Sequence, residues 1–174
     1  MNTLTFHITD IASNSVRAGA TRISLEITIH EDHTTVRIAD NGCGMDAETV
    51  SRITNSFYTT RTTRKVGLGI PFLIQNAEQT GGHVSITSEP GKGTAVMACF
   101  ITSNIDCPPM GDLPGTVAML ISGNPGINVC FSYRKEELLF EISSEDLHSV
   151  FEDIPLSHPK VILAIREMIA ANLS

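Results

Sequence analysis

The feature that most constrains the fold of this chain is the stretch 40–45, which reads Asp-Asn-Gly-Cys-Gly-Met. It follows Val36 and Ile38, which alternate with polar or small residues as in a half-buried strand. Asp40 is therefore predicted to end a strand with its carboxylate facing a cavity, where it could accept a hydrogen bond from an exocyclic amine. The two glycines after it allow positive φ and close approach of the backbone to a ligand. Taken alone, the stretch fits an Asn-Gly hairpin turn equally well, so its neighbours must decide.

Length and charge limit the class of protein. A chain of 174 residues with 41% apolar residues can form one globular unit, or one domain with an extension. A net charge of −7 argues against a nucleic-acid surface, which normally carries a basic patch. The cluster Arg61, Arg64 and Lys65 is too small to cover a duplex but has the right size for a polyphosphate. Solvated loop charges remain the alternative interpretation of this cluster.

The sequence also favours a location away from membranes and oxidising compartments. Residues 1–6 contain no basic region followed by an apolar run, and no stretch approaches the roughly 18 apolar residues of a membrane span. The four cysteines form no C-x-x-C pair, and no histidine lies at zinc-finger spacing from them. Free thiols are the expectation, and we predict a soluble, cytoplasmic protein with no membrane partner.

Hydrophobic periodicity predicts an α+β chain with a linker at 102–111. Helices are predicted at 4–18, directly after Asp46, and at 70–77, 113–121, 145–151 and 159–173. Strands are predicted at 21–29, 34–39, 83–88, 94–101, 127–133 and 138–143, the last two as a hairpin.

The first predicted helix has a polar face. His7, Asp10, Asn14 and Arg17 follow one another at spacings of three, four and three residues, which places them on one side of the helix. A carboxylate and a carboxamide one turn apart could hold a metal ion or a water molecule, although a solvated polar face would look the same. His7 could pair with Asp10, and a structural role is the favoured alternative.

Five motifs in order resemble those of the GHKL superfamily, which includes gyrase B, the large heat-shock chaperone, sensor histidine kinases and mismatch-repair MutL. The resemblance covers about residues 4–101, and an ordered set of motifs is far more specific than a single glycine pair. The N box corresponds to 10–20 (DIASNSVRAGA), the first glycine box to 40–45 (DNGCGM), the kinase F box to 56–60 (SFYTT), the second glycine box to 66–70 (VGLGI), and the last box to 91–94 (GKGT).

This resemblance implies a Bergerat ATP-binding fold: a two-layer α/β sandwich with a mixed β-sheet, followed here by a small C-terminal α+β extension. Carried over by position, Asp40 would bind adenine N6, Thr94 would support it through water, and Asn14 would coordinate Mg²⁺. The other residues implied to bind ATP are Gly42, Gly44, Met45, Phe57, Gly67, Leu68 and Gly69. We add Arg61, Arg64 and Lys65 as candidates for neutralising the phosphates.

Asp10 departs from the family pattern. The family's ATPases usually carry Glu at this position, as the catalytic base that orients the attacking water. Asp is shorter by one methylene group, so we expect it to reach that water poorly or through a second water, and hydrolysis to be slow.

Three functions remain open for such a domain. A protein kinase that acts on, or regulates, a separate protein partner is favoured by the F box and by the short segment between Phe57 and Gly67. A MutL-like ATPase switch is favoured by the N box, and a nucleotide-sensing adaptor without significant catalysis is allowed by Asp10.

We assign residues 1–102 to a histidine-kinase-like ATP-binding domain and 103–174 to an extension that binds a partner or completes the core. ATP, ADP and Mg²⁺ are the expected ligands, and a homodimer is compatible with each function.

Overall fold

The computed structural model describes residues 3–55 and 69–174. Within those ranges, the predicted helices and strands are all present, and the predicted bounds lie within two residues of the observed ones. In chain order they are α1 Leu4–Arg17, β1 Arg22–Ile29, β2 His33–Asp40, α2 Ala47–Thr54, α3 Gly69–Gln79, β3 His83–Glu89, β4 Gly93–Ile101, α4 Leu113–Ser122, β5 Asn128–Lys135, β6 Leu138–Ser143, α5 Ser144–Phe151 and α6 Pro159–Leu173.

The strands form one mixed sheet in the order β3-β4-β2-β1-β5-β6. Four of its pairings are antiparallel, and β1 pairs with β5 in parallel. The predicted mixed sheet is therefore confirmed. The segment after residue 102 contributes two strands to it, because β5 lies directly beside β1 and β6 beside β5.

One face of the sheet is buried by the helices. Because side chains alternate along a strand, Leu25, Ile38, Val96 and Phe131 share that face across four neighbouring strands, with at most 5% of each exposed. Glu26, on the opposite face, is exposed. The buried apolar residues of the described chain form a single cluster, which includes Ile165 and Ile169 of α6 as well as Ile8 and Ile11 of α1.

The start of α1 is fixed both locally and by the segment 102–111. The Thr3 hydroxyl caps the helix by accepting from the amide of Phe6 at 3.0 Å. The amides of Leu4 and Thr5 donate to the carbonyls of Pro109 and Met110, each at 2.9 Å. The predicted linker therefore runs along the N-terminus of α1 and holds it in place.

Two further sequence expectations can be compared with the structure. All four cysteines are free, as predicted. Among residues 3–55 and 69–174, no helix combines the length and the apolarity needed to cross a membrane.

Candidate functional site

Many motif residues of the described chain meet at one cavity of about 290 Å³ between α1, the loop after β2 and the start of β4, although Asp10, Gly42 and Gly69 do not line it. Five predicted site residues line it: Asn14, Asp40, Gly44, Met45 and Thr94. The remaining lining residues are Ile11, Ser15, Arg17, Ala18, Ile38, Cys43, Ile53, Ile70 and Val96. The cavity is thus mostly apolar, with a few polar groups at defined places, as is typical of small-molecule sites.

Asp40 ends β2, as the alternation predicted, and its carboxylate is held by two donors. Oδ1 accepts from the backbone amide of Gly42 at 2.8 Å, and Oδ2 accepts from the hydroxyl of Ser15 at 2.6 Å. Each carboxylate oxygen has two lone pairs, so each can accept one further hydrogen bond from a ligand. The carboxylate is therefore oriented before any ligand binds, with acceptor capacity left on the cavity side.

The glycine loop lies tightly against its surroundings. Gly44 has φ of +72°, and a Cβ built on it would lie 1.9 Å from the carbonyl oxygen of Glu89 in the β3–β4 hairpin. At Gly42, a Cβ would lie 2.7 Å from the Cβ of Ala18, at the end of α1. The amide of Gly91 donates to the carbonyl of Cys43 at 2.6 Å, which also ties the loop to this hairpin. These contacts explain why both loop positions need glycine.

Ser88 links three parts of the site and was not singled out in the sequence. Its hydroxyl lies 2.8 Å from the amide of Met45, 3.1 Å from the carbonyl of Gly93 and 2.8 Å from the hydroxyl of Thr94. Ser88 and Thr94 are register partners across the β3–β4 hairpin. The turn-forming residues Glu-Pro-Gly-Lys-Gly at 89–93, between two predicted strands, were the signal that could have paired these two hydroxyls.

A second polar group lies at the C-terminal half of α1. The guanidinium of Arg17 donates to the Oδ1 of Asn14, one turn earlier on the same helix. Both side chains line the cavity. Arg17 therefore brings a positive charge to the cavity wall, next to the carboxamide oxygen that the motif comparison assigns to Mg²⁺.

Asp10 lies one turn before Asn14 and against the start of α3. A Cβ built on Gly69 would lie 3.2 Å from the Cβ of Asp10 and 3.4 Å from its Oδ2, so the two residues are in close contact. Burial raises the pKa of the Asp10 carboxyl, and the charge of Arg17 lowers it by a smaller amount. A carboxylate with a raised pKa is a better proton acceptor, which suits a general base.

His7 has a structural position, as favoured, but its partner is not Asp10. Only 2% of His7 is exposed, and its Nε2 lies 2.8 Å from the Nδ2 of Asn76 on α3. Burial lowers the pKa of this histidine to about 4, and its Nδ1 has no hydrogen-bond partner among the described residues. His7 therefore joins α1 to α3 as a neutral ring in the interior.

Some predicted site residues cannot be placed. Phe57, Arg61, Arg64, Lys65, Gly67 and Leu68 lie outside the described residues and stay predictions. In the part of the chain that the structure describes, no group of three or more His, Cys, Asp or Glu side chains is arranged to hold a metal ion. The resemblance assigns a metal to the carboxamide oxygen of Asn14, which lines this cavity together with the oxygen atoms of Asp40 and Thr94.

A larger cavity, of about 770 Å³, lies between α1, α4 and α6. Arg17 lines both this cavity and the cavity of about 290 Å³. We place the candidate site in the smaller cavity because that cavity brings together residues from four separate motifs, whereas size alone carries no chemistry.

Comparison with known proteins agrees with this geometry. Residues 2–103 match the family of histidine kinase-, DNA gyrase B- and HSP90-like ATPases. The sensor histidine kinase YxdK of Bacillus subtilis is 28% identical over 106 residues, which are 57% of this chain and 33% of that protein. A putative sensor protein of Shewanella frigidimarina is 32% identical over 101 residues, 56% of this chain and 15% of that protein. The chain therefore spans a third or less of the length of these two relatives.

Solved structures show the same fold at low sequence identity. The N-terminal domain of a DNA repair protein superposes with a TM-score of 0.59 at 14% identity, covering 87% of this chain and 57% of that one. The MutL ATPase domain of Aquifex aeolicus, solved in complex with ADP, superposes with a TM-score of 0.50 at 18% identity, covering 87% and 70%. The family match spans more than half of the chain, and the mixed sheet with its helices has the form that this family implies. The chain belongs to the GHKL superfamily of histidine kinase-, gyrase B- and HSP90-like ATPases.

Proposed function

We propose that this protein binds Mg-ATP in the 290 Å³ cavity and uses it to phosphorylate, or otherwise regulate, a separate protein partner. The observation that carries the nucleotide assignment is the oriented carboxylate of Asp40 on the cavity wall, held by Ser15 and Gly42. A half-buried carboxylate with free acceptor capacity, surrounded by apolar side chains, is complementary to a flat apolar ring that carries an amino group.

The apolar walls support a purine next to Asp40. Ile38, Val96 and Ile53 line the cavity and are at most 8% exposed, so a ring placed there would be removed from water. Burial of apolar surface provides affinity, and the Asp40 acceptor provides orientation. Asp40 is thus assigned to the N6 amino group, and Thr94, its register partner on β4, to a supporting contact.

The phosphates are assigned to the opposite end, near Asn14, Arg17 and the start of α3. Mg²⁺ prefers oxygen ligands and keeps several waters, so one carboxamide oxygen together with phosphate oxygens is a suitable donor set. When bound, the metal would supply charge neutralisation of the transferred phosphate. Asn14 would hold it through Oδ1, the oxygen that accepts from the Arg17 guanidinium in the structure, and Arg17 would pair with phosphate. Arg61, Arg64 and Lys65 remain additional phosphate candidates.

Kinase-like action on a partner is supported by the sensor kinases among the sequence relatives. Asp10, with its raised pKa and its position beside Gly69, is assigned as the base that would deprotonate an attacking hydroxyl or water. The same carboxylate could serve a MutL-like ATPase switch, and the superposition on the MutL ATPase domain favours that function as the second candidate. The free cysteines fit a reducing compartment such as the cytoplasm.

Asp40→Asn tests nucleotide binding. The amide replaces an acceptor with a donor, which opposes the adenine amino group, and a hydrogen bond to a charged group contributes about 1.5–3 kcal/mol. Binding of Mg-ATP, measured by isothermal titration calorimetry, should weaken by roughly 10-fold to 150-fold. The control is Asp106→Asn, which alters an exposed carboxylate that does not line the cavity. An Asp40→Asn protein that binds Mg-ATP as tightly as its parent would contradict the assignment.

Incubation with ATP labelled in the γ-phosphate separates the remaining functions. Label on a protein of the same cell's lysate, lost with Asn14→Ala, is the expected result and indicates a kinase. Labelled free phosphate without a labelled protein would instead support the ATPase switch. Neither product, despite tight binding of ATP, would leave the nucleotide-sensing adaptor.

A further inference from the structure

The hydroxyl of Ser88 controls which way the hydroxyl of Thr94 points. The Ser88 hydroxyl can donate one hydrogen bond and accept two, and it has three polar neighbours. The Gly93 carbonyl can only accept and the Met45 amide can only donate, at 3.1 and 2.8 Å. All three bonds form together only if Ser88 donates to Gly93 and accepts from both Met45 and Thr94, whose hydroxyl lies 2.8 Å away. The proton of Thr94 is then directed at Ser88.

Thr94 therefore presents an acceptor to the cavity. Its oxygen keeps lone pairs but has no proton to offer a ligand. Asp40, its register partner on β2, also presents acceptors, because its two protein contacts both donate to it. Two neighbouring acceptors line this part of the cavity. A group with two protons, such as an amino group, is complementary to them, whereas a carbonyl oxygen would meet acceptors alone.

We propose that Ser88 is a specificity-determining residue, which selects 6-amino over 6-oxo purines by fixing the proton of Thr94. The inference rests on the proposed function, because it assumes that the purine C6 edge faces Asp40 and Thr94. Ser88 contacts no ligand itself and acts through Thr94. Without Ser88, the Thr94 hydroxyl can rotate and donate to a 6-oxo group, so the site loses its discrimination.

The test compares Mg-ATP with Mg-ITP, whose bases differ at the C6 substituent and the N1 proton. Dissociation constants for both are measured by isothermal titration calorimetry on the full chain. The parent should bind ATP more tightly than ITP. Ser88→Ala should reduce the ITP/ATP ratio of dissociation constants by about tenfold, the value of one well-placed hydrogen bond. The matched control, Ser85→Ala, alters an exposed serine of the same strand and should leave the ratio unchanged.

A double-substitution cycle separates this role from a merely structural one. Ser88→Ala also removes the acceptor for the Met45 amide, which could weaken both nucleotides together. The ratio is insensitive to such a common loss. In a Thr94→Val background there is no hydroxyl to reorient, so Ser88→Ala should leave the ratio unchanged there. Should Ser88→Ala fail to fold, Ser88→Cys preserves the volume with a weak hydrogen-bonding group and serves the same cycle.

The outcomes are distinguishable. A parent that binds neither nucleotide overturns the proposed function. A parent that binds ATP, with an ITP/ATP ratio that Ser88→Ala leaves within twofold, overturns only the role of Ser88. A ratio that moves in the opposite direction, with ATP gaining on ITP, would place Thr94 against N1 and would also overturn the inference. A ratio that falls with Thr94 present and stays constant with Thr94→Val supports it.

Discussion

Gly44→Ala should be among the most damaging single-methyl changes at this site. The residue has φ of +72°, and the new Cβ would lie 1.9 Å from the Glu89 carbonyl oxygen and 2.7 Å from its carbon. The left-handed conformation costs a non-glycine residue about 1–2 kcal/mol. Relief of the overlap requires a backbone shift, at about 1–3 kcal/mol for overpacking of this kind. We therefore expect Gly44→Ala to lower the free energy of unfolding by about 2–5 kcal/mol.

Gly91→Ala is the matched control for the conformational part of this cost. Gly91 has φ of +79° in the β3–β4 hairpin, two residues after Glu89, and a Cβ there would meet nothing within 4 Å. Gly91→Ala should lower the free energy of unfolding by only the cost of the left-handed conformation, about 1–2 kcal/mol. The difference between the two variants therefore isolates the contact with Glu89. Urea unfolding at 25 °C, followed by circular dichroism, gives both values, provided that the slope with denaturant stays constant.

Nucleotide binding should separate the two variants further. The loop at Gly44 and Met45 lines the cavity, so its displacement should weaken Mg-ATP binding in Gly44→Ala, whereas Gly91→Ala should bind as the parent does. Equal losses of stability in both variants would refute the close approach of the loop to Glu89. Parental ATP affinity in a destabilised Gly44→Ala would refute the role of this loop in the site.

Two further predictions concern the core. The pKa of His7 is about 4 in the folded chain against 6.5 for the free side chain, so folding disfavours its protonation. The neutral ring therefore contributes its full stabilisation above pH 6.5. This stabilisation, about 3 kcal/mol, is lost as the pH falls from 6.5 towards 4. Urea unfolding at several pH values should show a steeper loss of stability in the parent than in His7→Gln, and parallel curves would contradict the neutral buried ring. Phe131→Ala, at a side chain 1% exposed on β5, should cost about 3–5 kcal/mol and leave a single unfolding transition, because β5 lies beside β1 in the same sheet. Two separate transitions by calorimetry would show instead that 103–174 unfolds independently.

Local patterns were sufficient for the elements of this fold. Strict alternation at Ile23, Leu25 and Ile27 predicts a half-buried strand wherever that strand lies in a sheet, and α6 was predicted with the bounds that the structure shows. Asp46 was recognisable as a cap, and its carboxylate accepts from the Thr49 amide at 2.8 Å. Such features depend on residues within a few positions of each other, so one sequence contains all the information they need.

The residues of the candidate site and their contacts could be predicted only in part from the sequence. The order of the motifs predicted Asp40, Asn14 and Thr94 as site residues, and the structure brings these three candidates to one cavity. The motif order did not identify Ser15 as the partner of Asp40, because the two residues are 25 positions apart and Ser15 lies on the buried side of α1. It also did not identify Asn76, 69 residues away, as the partner of His7.

The sequence by itself determined the helices, the strands with their last hairpin, and the family, because these follow from periodicity, turn residues and ordered motifs. Only the tertiary structure decided that β4 lies beside β2 and that β5 pairs in parallel with β1. Such pairings depend on which apolar faces of distant strands bury one another under the same helices, and no local pattern specifies that choice. The directions of the hydroxyl protons at Ser15 and Ser88 also depend on the tertiary structure, because the partners that fix them meet only after the sheet has formed.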